Sequence, residues 1–532
     1  MKAAERRCVS ELTRERLDGM CRGLEKESLR ASFSGQLALT PHPVGLGSPL
    51  THPSITTDFS ESQLELITAP HADAEACLQE LERLHAFVYR VLAETGQELL
   101  WVGSMPCALP NDEAIPIAYF GTSNIGRLKS VYRMGLAHRY GRRMQTISGI
   151  HYNWSLPGLG NEDYFAIIRN FRRGAALLLY LFGASPAVCA SFVEGRAHRL
   201  EPLAPGTLFL PWATSLRMGR LGYQSEAQAQ LAVSYNSLED YAASLYEALT
   251  RPYPPYEAIG LRGLGGDYNQ LNTTLLQIEN EFYGLIRPKR RIRPGERPLH
   301  ALRERGVEYL EVRLVDLDPF LPLGIDADGM RFLDLFLLDC WLEPSPADTP
   351  EEIAALAENQ QRVSARGREP GLRILDVGAN LAERAFSDWA QERLARLEPL
   401  AAHLDAGLGF AADGYRAALA WAQARIEDPQ RLPSARVLAM MRERFAGSYL
   451  AFFCARSREV RESMLAKPLD PAERVKFDAL ARTSLEKQRA LEAADAGPGG
   501  IPFEVFRAAY VSPERLIPTR SAEVQALALS AP

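Results

Sequence analysis

Short β-rich runs recur at uneven intervals over roughly the first 320 residues, and this irregularity is the strongest constraint on the fold. ITTDFS, LELIT, LLWVGS, TISGIHYNWSL, TLFLPWAT, TLLQIENEFYGLI and VEYLEVRLVDL carry the alternation or β-branched content of strands. Between them lie stretches of helical period, such as ADAEACLQELERLHAFVYRVLAE and DYFAIIRNFRRGAALLLYLF. Without a steady strand–helix–strand rhythm there is no regular supply of parallel crossovers. The pattern therefore predicts an α+β fold on a largely antiparallel sheet.

After about residue 330 the pattern turns mostly helical: MRFLDLFLLDCWL, then residues 379–426 and 436–495, closing on the loop and short helix of GPGGIPFEVFRAAYVSPE. A chain of 532 residues exceeds one average domain. The expected division is an α+β domain over 1–330, carrying any chemistry, and a mainly helical part over 331–532 packed on it.

The charge balance, 60 basic against 66 acidic residues, argues against a dedicated nucleic-acid binder, which is usually strongly basic. The seven cysteines are scattered with no C-x-x-C pair, which reads as reduced thiols. The start, MKAAERRCVSELTRERLDGM, has no apolar run after its basic residues and is not a secretory signal. GAALLLYLFGASPAVCASFV (174–193) is long enough to span a bilayer, but Gly183 and Pro186 interrupt it. It is expected to be a buried helix running into a turn, in a soluble, cytoplasmic protein.

Two glycine-containing stretches fail as nucleotide loops. GTSNIGRL (121–128) has Arg127 and Leu128 where a phosphate loop needs lysine and a hydroxyl. GLRGLGGD (260–267) lacks the dinucleotide-binding order and reads as a turn. What remains is carboxylates on strands. RGLEKESLR places Glu25 and Glu27 two apart, so a strand would turn both to one face. Asp58, Glu61 and Glu65 lie in TTDFSESQLELIT, His151 opens a β-like run, and EYLEVRLVD puts Glu311 and Arg313 on one face. Singly, each suits a solvated surface. Together, hard oxygen donors with one imidazole suit Mg²⁺ or Mn²⁺ beside nucleotide phosphates. IRPKRRIRPGER adds Arg287, Lys289, Arg290, Arg291 and Arg293, a set of cations suited to phosphate or carboxylate. Cations on both flanks of a phosphoryl group are the means by which its transfer is catalysed.

With those residues in view, the chain resembles the glutamate–cysteine ligases of proteobacterial type, relatives in fold of glutamine synthetase. The likeness is dense over about 15–345. It rests on RGLEKESLR, LTPHPVGLGSPLTHPSITTDFSESQLELIT, SMPC, GRLKSVYRMGLAHRYG, MQTISGIHYNWSLP, YLFGASPA, PWATSLRMGRLGY, LQIENEFYGLIRPKR, GVEYLEVRLVDLDPFLPLGID and RFLDLFLL. It continues more loosely through RVLAMMRER and LARTSLEKQRALEAAD. The segment 157–163 is shorter than in some relatives, which touches a surface loop and not the site.

The resemblance implies an antiparallel sheet forming an open funnel with helices outside. It implies that ATP phosphorylates the γ-carboxylate of glutamate, that the amine of cysteine displaces phosphate, and that γ-glutamylcysteine results, the first step of glutathione synthesis. By that likeness Glu25 and Glu27 hold different Mg²⁺ ions, with Mn²⁺ an alternative. Glu65 and Asp58 share the ion of Glu27, while His151 and Glu311 complete that of Glu25. Arg313 and Arg287 stabilise the transferred phosphoryl group, with Lys289 and Arg290 also at the nucleotide. Arg217, Tyr132, Tyr223 and Tyr283 form the cysteine pocket. A monomer inhibited by glutathione at an overlapping site is likewise implied.

Three other readings compete: a ligase for a different amine, a glycoside hydrolase using paired carboxylates, which has no use for the RPKR cluster, and an inactive scaffold of the same fold, against which no matched acid is missing.

Overall fold

The computed structural model describes residues 6–96, 98–222, 226–229, 231–408 and 414–518. Along the chain come β1 (Cys21–Ser32), β2 (Ile55–Thr57), β3 (Gln63–Ile67), β4 (Glu98–Leu100) and β5 (Ile150–Ser155). Next are β6 (Ala187–Cys189), β7 (Glu201–Ala204), β8 (Thr207–Phe209), β9 (Ile286–Lys289) and β10 (Tyr309–Val315), then β11 (Arg373–Asp376) and β12 (Ala382–Ala385). The principal sheet has seven strands in the order β2-β3-β1-β5-β10-β9, with β4 beside the far end of β1. Its pairings are all antiparallel, as the sequence predicts.

Register decides which residues share a face. Glu27 lies opposite Glu65, Glu25 opposite His151, Asn153 opposite Glu311, and Glu311 opposite Arg287. The period of two then places every one of these on a single face. The other face presents Leu24, Leu64, Leu66, Tyr152, Leu310 and Val312, all buried. The helices Ala74–Thr95 and Asn161–Phe182 pack there. Asp73 caps the first of them by accepting the Ala76 N–H at 2.8 Å. Each fully buried leucine contributes about 1.5–3 kcal/mol by removal from water.

The uncharged stretch resolves as expected. The helix stops at Phe182, the chain turns through Gly183–Pro186, and Ala187 begins β6. Among the described residues no helix is long and apolar enough to cross a membrane.

TLLQIENEFYGLI does not form the expected strand. Only Ile286 enters β9, and Glu279–Glu281 make a 3-10 turn. The two glutamates are spent on buried anchors. Glu279 accepts from Arg297 at 2.8 Å, and Glu281 accepts from Arg139 at 2.8 Å and Tyr140 at 2.7 Å. Pairing these groups outweighs local strand propensity, because an unpaired buried charge costs several kcal/mol, about 3–5.

Among the described residues beyond 330, the regular elements are helical apart from the β11–β12 hairpin. The boundary expected at 330/331 falls inside the helix Ala327–Leu342, whose side chains belong to the same core as the sheet. Asp334 of that helix pairs with Arg22 of β1 at 2.9 Å and accepts from Tyr152 of β5 at 2.6 Å and Tyr415 at 3.3 Å. A buried polar knot of this kind fixes the helix on the sheet.

Candidate active site

The polar face of the sheet carries an acidic end and a basic end. At the acidic end the ligand atoms of Glu25, Glu65 and His151 lie within 4.8 Å of one another. His151 Nδ1 stands 3.1 Å from Glu25 Oε2, and its Nε2 stands 3.9 Å from Glu27 Oε1. Asn153 Nδ2 donates to Glu25 Oε1 at 2.9 Å, and the Gly149 N–H donates to Glu27 Oε2 at 2.8 Å. These bonds hold the carboxylates apart by fixing one oxygen of each.

At the basic end Glu311 sits among cations. Lys289 Nζ is 3.0 Å away, Arg313 donates at 2.9 Å, and Arg287 Nη1 is 3.9 Å distant. β9 alternates, so Arg287 and Lys289 reach the site from one face. Arg290 does not: its Nε donates to the Gly306 carbonyl at 2.5 Å, away from the acids. Arg290 stands just past the end of β9, with its Nε engaged by that carbonyl. Arg291 pairs with Glu308 at the exposed edge.

The charges balance unevenly. Burial and then Asp58 push the Glu27 carboxyl up to about 8, and burial with the neighbouring acids Glu25, Asp58 and Glu27 drives Glu65 well above the usual range. For Glu311 burial works the same way, but the Lys289 charge and then that of Arg313 outweigh it and hold the group well below its ordinary value. Burial and the Arg313 charge lower His151, leaving a neutral imidazole able to donate a lone pair. The acidic end thus has more carboxylates than it can ionise by itself. Hard oxygens with one neutral imidazole, short of positive charge, fit a divalent cation such as Mg²⁺ or Mn²⁺.

The helix Asn124–Tyr140 forms a wall over the acidic end. The Arg133 guanidinium donates to the Asp58 carbonyl and lies 4.4 Å from the Phe120 ring centre. Lys129, one turn earlier, is pushed down to about 8 by burial, then by the Arg133 charge. Tyr132 faces Glu281, Tyr283 and Arg287, and burial raises its hydroxyl well above the usual range. The Tyr283 hydroxyl accepts from Gln145 Nε2 at 2.7 Å.

Arg217 lies beneath the start of β5. It donates to the Arg313 carbonyl at 2.7 Å and stands 3.4 Å from Asp316. A Cβ on Gly149 would come within 2.0 Å of its Nη2, so only glycine admits the guanidinium there. A cavity of about 770 Å³ opens beside it, lined also by Tyr283, Arg313, Met218 and Tyr235. Tyr223 lies outside the described residues.

Of the sequence candidates, Glu25, Glu27, Glu65, His151, Glu311, Arg313, Arg287 and Lys289 share one face, and the field of Asp58 reaches Glu27 and Glu65. Glu61 is elsewhere, accepting the backbone N–H groups of His42 and Tyr119 at 2.8 Å each. Three neighbours were missed: Asn153, Lys129 and Arg133. Asn153 is two residues past His151 on the same strand. Lys129 and Arg133 carry an i, i+4 signal, concealed by the discarded loop motif just before them.

A family model described as glutamate-cysteine ligase matches residues 8–363. The glutamate–cysteine ligase of Azotobacter vinelandii is 51% identical over 92% of this chain and 93% of its own length. That of Pseudomonas putida is 49% identical over 92% and 94%. A crystal structure of the Francisella tularensis glutamate–cysteine ligase, in complex with AMP, superposes with a TM-score of 0.86 at 36% identity, over 92% of this chain and 97% of that one. This agrees with the α+β expectation for the fold. The match of the family model over more than half the chain, together with relatives of this identity and coverage, places the chain in the glutamate–cysteine ligase family.

Proposed function

We propose that this chain joins L-glutamate to L-cysteine with conversion of ATP to ADP and phosphate, yielding γ-glutamylcysteine, the first step of glutathione synthesis. The observation that carries the reading is the division of one strand face into an end where Glu25, Glu65 and His151 converge and an arginine–lysine end around Glu311. An oxygen of the glutamate γ-carboxylate attacks the γ-phosphorus, and ADP departs. The cysteine nitrogen, having lost a proton, then attacks the acyl carbon, and inorganic phosphate leaves.

Arg313, Lys289 and Arg287 neutralise the phosphoryl oxygens as charge shifts to the leaving group. Glu25, Glu27, Glu65, Asp58, His151 and Glu311 would hold Mg²⁺, or Mn²⁺ in its place. When bound, the metal supplies charge neutralisation and orientation of the phosphates. Arg217, Tyr132, Tyr223 and Tyr283 are assigned to the cysteine pocket, with Tyr132 on the helix whose Lys129 and Arg133 stand over the acids. Arg217 and Tyr283 line the cavity next to Arg313, which supports that assignment.

The same reading makes residues 1–330 the catalytic part and 331–532 a helical part packed on it. It also gives a cytoplasmic monomer subject to inhibition by glutathione at an overlapping site. Free thiols at Cys8, Cys21, Cys77, Cys107, Cys189, Cys340 and Cys454 fit a reducing compartment.

The test is ADP release with ATP, Mg²⁺ and glutamate, with cysteine or with other small amines. Release dependent on both glutamate and cysteine is expected. Release with glutamate and another amine, but little with cysteine, would move the acceptor. Absence of nucleotide turnover would overturn the reading.

A further inference from the structure

The 124–140 helix owes its position to a segment far away in sequence. Its first turn has backbone N–H groups without intrahelical partners. Ser123 accepts one of these, from Gly126 at 3.3 Å. Two more polar bonds come from the helix Pro471–Ala496: Glu492 accepts the Thr122 N–H at 2.9 Å, and Asp495 accepts the Asn124 N–H at 2.6 Å. Carboxylates there also meet the positive end of the helix dipole. Asn124 Nδ2 then donates to the Ile501 carbonyl at 2.9 Å.

The approach is close. Gly121 has φ +86°, and a Cβ on it would fall 2.2 Å from Glu492 Oε1. Farther along, Phe503 of the helix Phe503–Val511 forms a buried cluster with Leu128 and Leu271, against which Ile125, Val131 and Tyr132 pack. Arg127 covers the Phe503 ring at 4.3 Å. The outer side of the 124–140 helix is thus gripped by residues 492–503, while Lys129 and Arg133 face the acids within. The family-model match ends at 363, so the grip lies outside it.

We infer that Glu492 and Asp495 are positioning residues for the ligase reaction: they clamp the start of the 124–140 helix and thereby set Tyr132 and Arg133 against the bound amino acids. The inference rests on the reading of that helix as the substrate wall. It predicts a defect larger in amino-acid binding than in nucleotide binding, since Arg287, Lys289 and Arg313 stand on β9 and β10 and not on this helix.

The experiment is steady-state kinetics of full-length Asp495→Ala, Glu492→Ala, the double variant and Asp495→Asn. Asp495→Ala should raise the KM for glutamate, cysteine or both about tenfold, the weight of one charge-assisted hydrogen bond. kcat and the KM for ATP should stay within about twofold, and the double variant should exceed either single one. Asp495→Asn should recover most of the loss, because its amide oxygen still accepts the Asn124 N–H. Unchanged amino-acid KM values would overturn the inference. So would a parallel rise in all three KM values, which marks general loosening. Arg133→Lys, measured alongside, separates the two levels. If it raises the amino-acid KM values and Asp495→Ala does not, the wall stands and the clamp is wrong. If Arg133→Lys leaves them unmoved, the wall reading fails and the clamp with it.

Discussion

Glu25 and His151 face each other across neighbouring antiparallel strands, with Oε2 and Nδ1 3.1 Å apart. The contact spends one nitrogen of the imidazole on orientation. The other, Nε2, is turned toward Glu27 at 3.9 Å. This is how an imidazole is fixed for ligation: one ring nitrogen is held so that the second is aimed.

Glu25→Gln preserves shape and removes charge. ADP release should fall by about 100-fold or more, the scale of losing a metal or electrostatic contact. Circular dichroism should be unaltered. Wild-type turnover in this variant would remove Glu25 from the metal set.

Arg217→Ala should raise the KM for cysteine far more than that for glutamate. Because the side chain is 1% exposed and paired with Asp316, thermal stability should drop too, by about 3–5 kcal/mol for one member of a buried pair. Equal effects on both amino acids would place Arg217 elsewhere in the site.

Gly149→Ala tests the same pocket from the strand side. The added methyl meets Arg217 Nη2 at 2.0 Å, so the guanidinium must move. The cysteine KM should rise as it does for Arg217→Ala, and the double variant should be no worse than the more affected single variant. Overpacking of this kind costs about 1–3 kcal/mol. Additive effects would mean that the two positions act independently.

Glu27 makes stability depend on pH with a definite sign. Its carboxyl is raised to about 8 by burial and Asp58, against an ordinary 4.5. Between those values the folded form is protonated and the unfolded chain ionised, so this group's contribution falls as pH rises through the window. In EDTA, the Tm difference between wild type and Glu27→Gln should shift against wild type from pH 5 to pH 8. Added Mg²⁺ should raise the wild-type Tm more at pH 8, where it no longer competes with protons. A flat difference across that range would show that Glu27 is ionised throughout.

The strand face was legible because parity is written in the sequence: Glu25 with Glu27, and Glu311 with Arg313, need no tertiary information to be placed together. Parity says less of Arg290, which stands one residue past the end of β9 and bonds the Gly306 carbonyl. The wall was less visible. Arg133 and Lys129 act only where a helix crosses a sheet, and no local pattern states what a helix crosses. TLLQIENEFYGLI misled for the opposite reason: Glu279 and Glu281 are claimed by Arg297 and Arg139 from distant segments. The grip of Asp495 on Asn124 spans 371 positions and has no local signature.

The alternation of β1 has a consequence for how its positions tolerate change. Lys26, between the two glutamates, points to the opposite face, where Nζ lies 2.8 Å from His85 Nε2 and burial lowers it to about 7. Neighbouring codons in this strand therefore serve different masters. A complete substitution scan of residues 23–28 should sort defects with a period of two, failure to turn over at one position and failure to accumulate folded protein at the next.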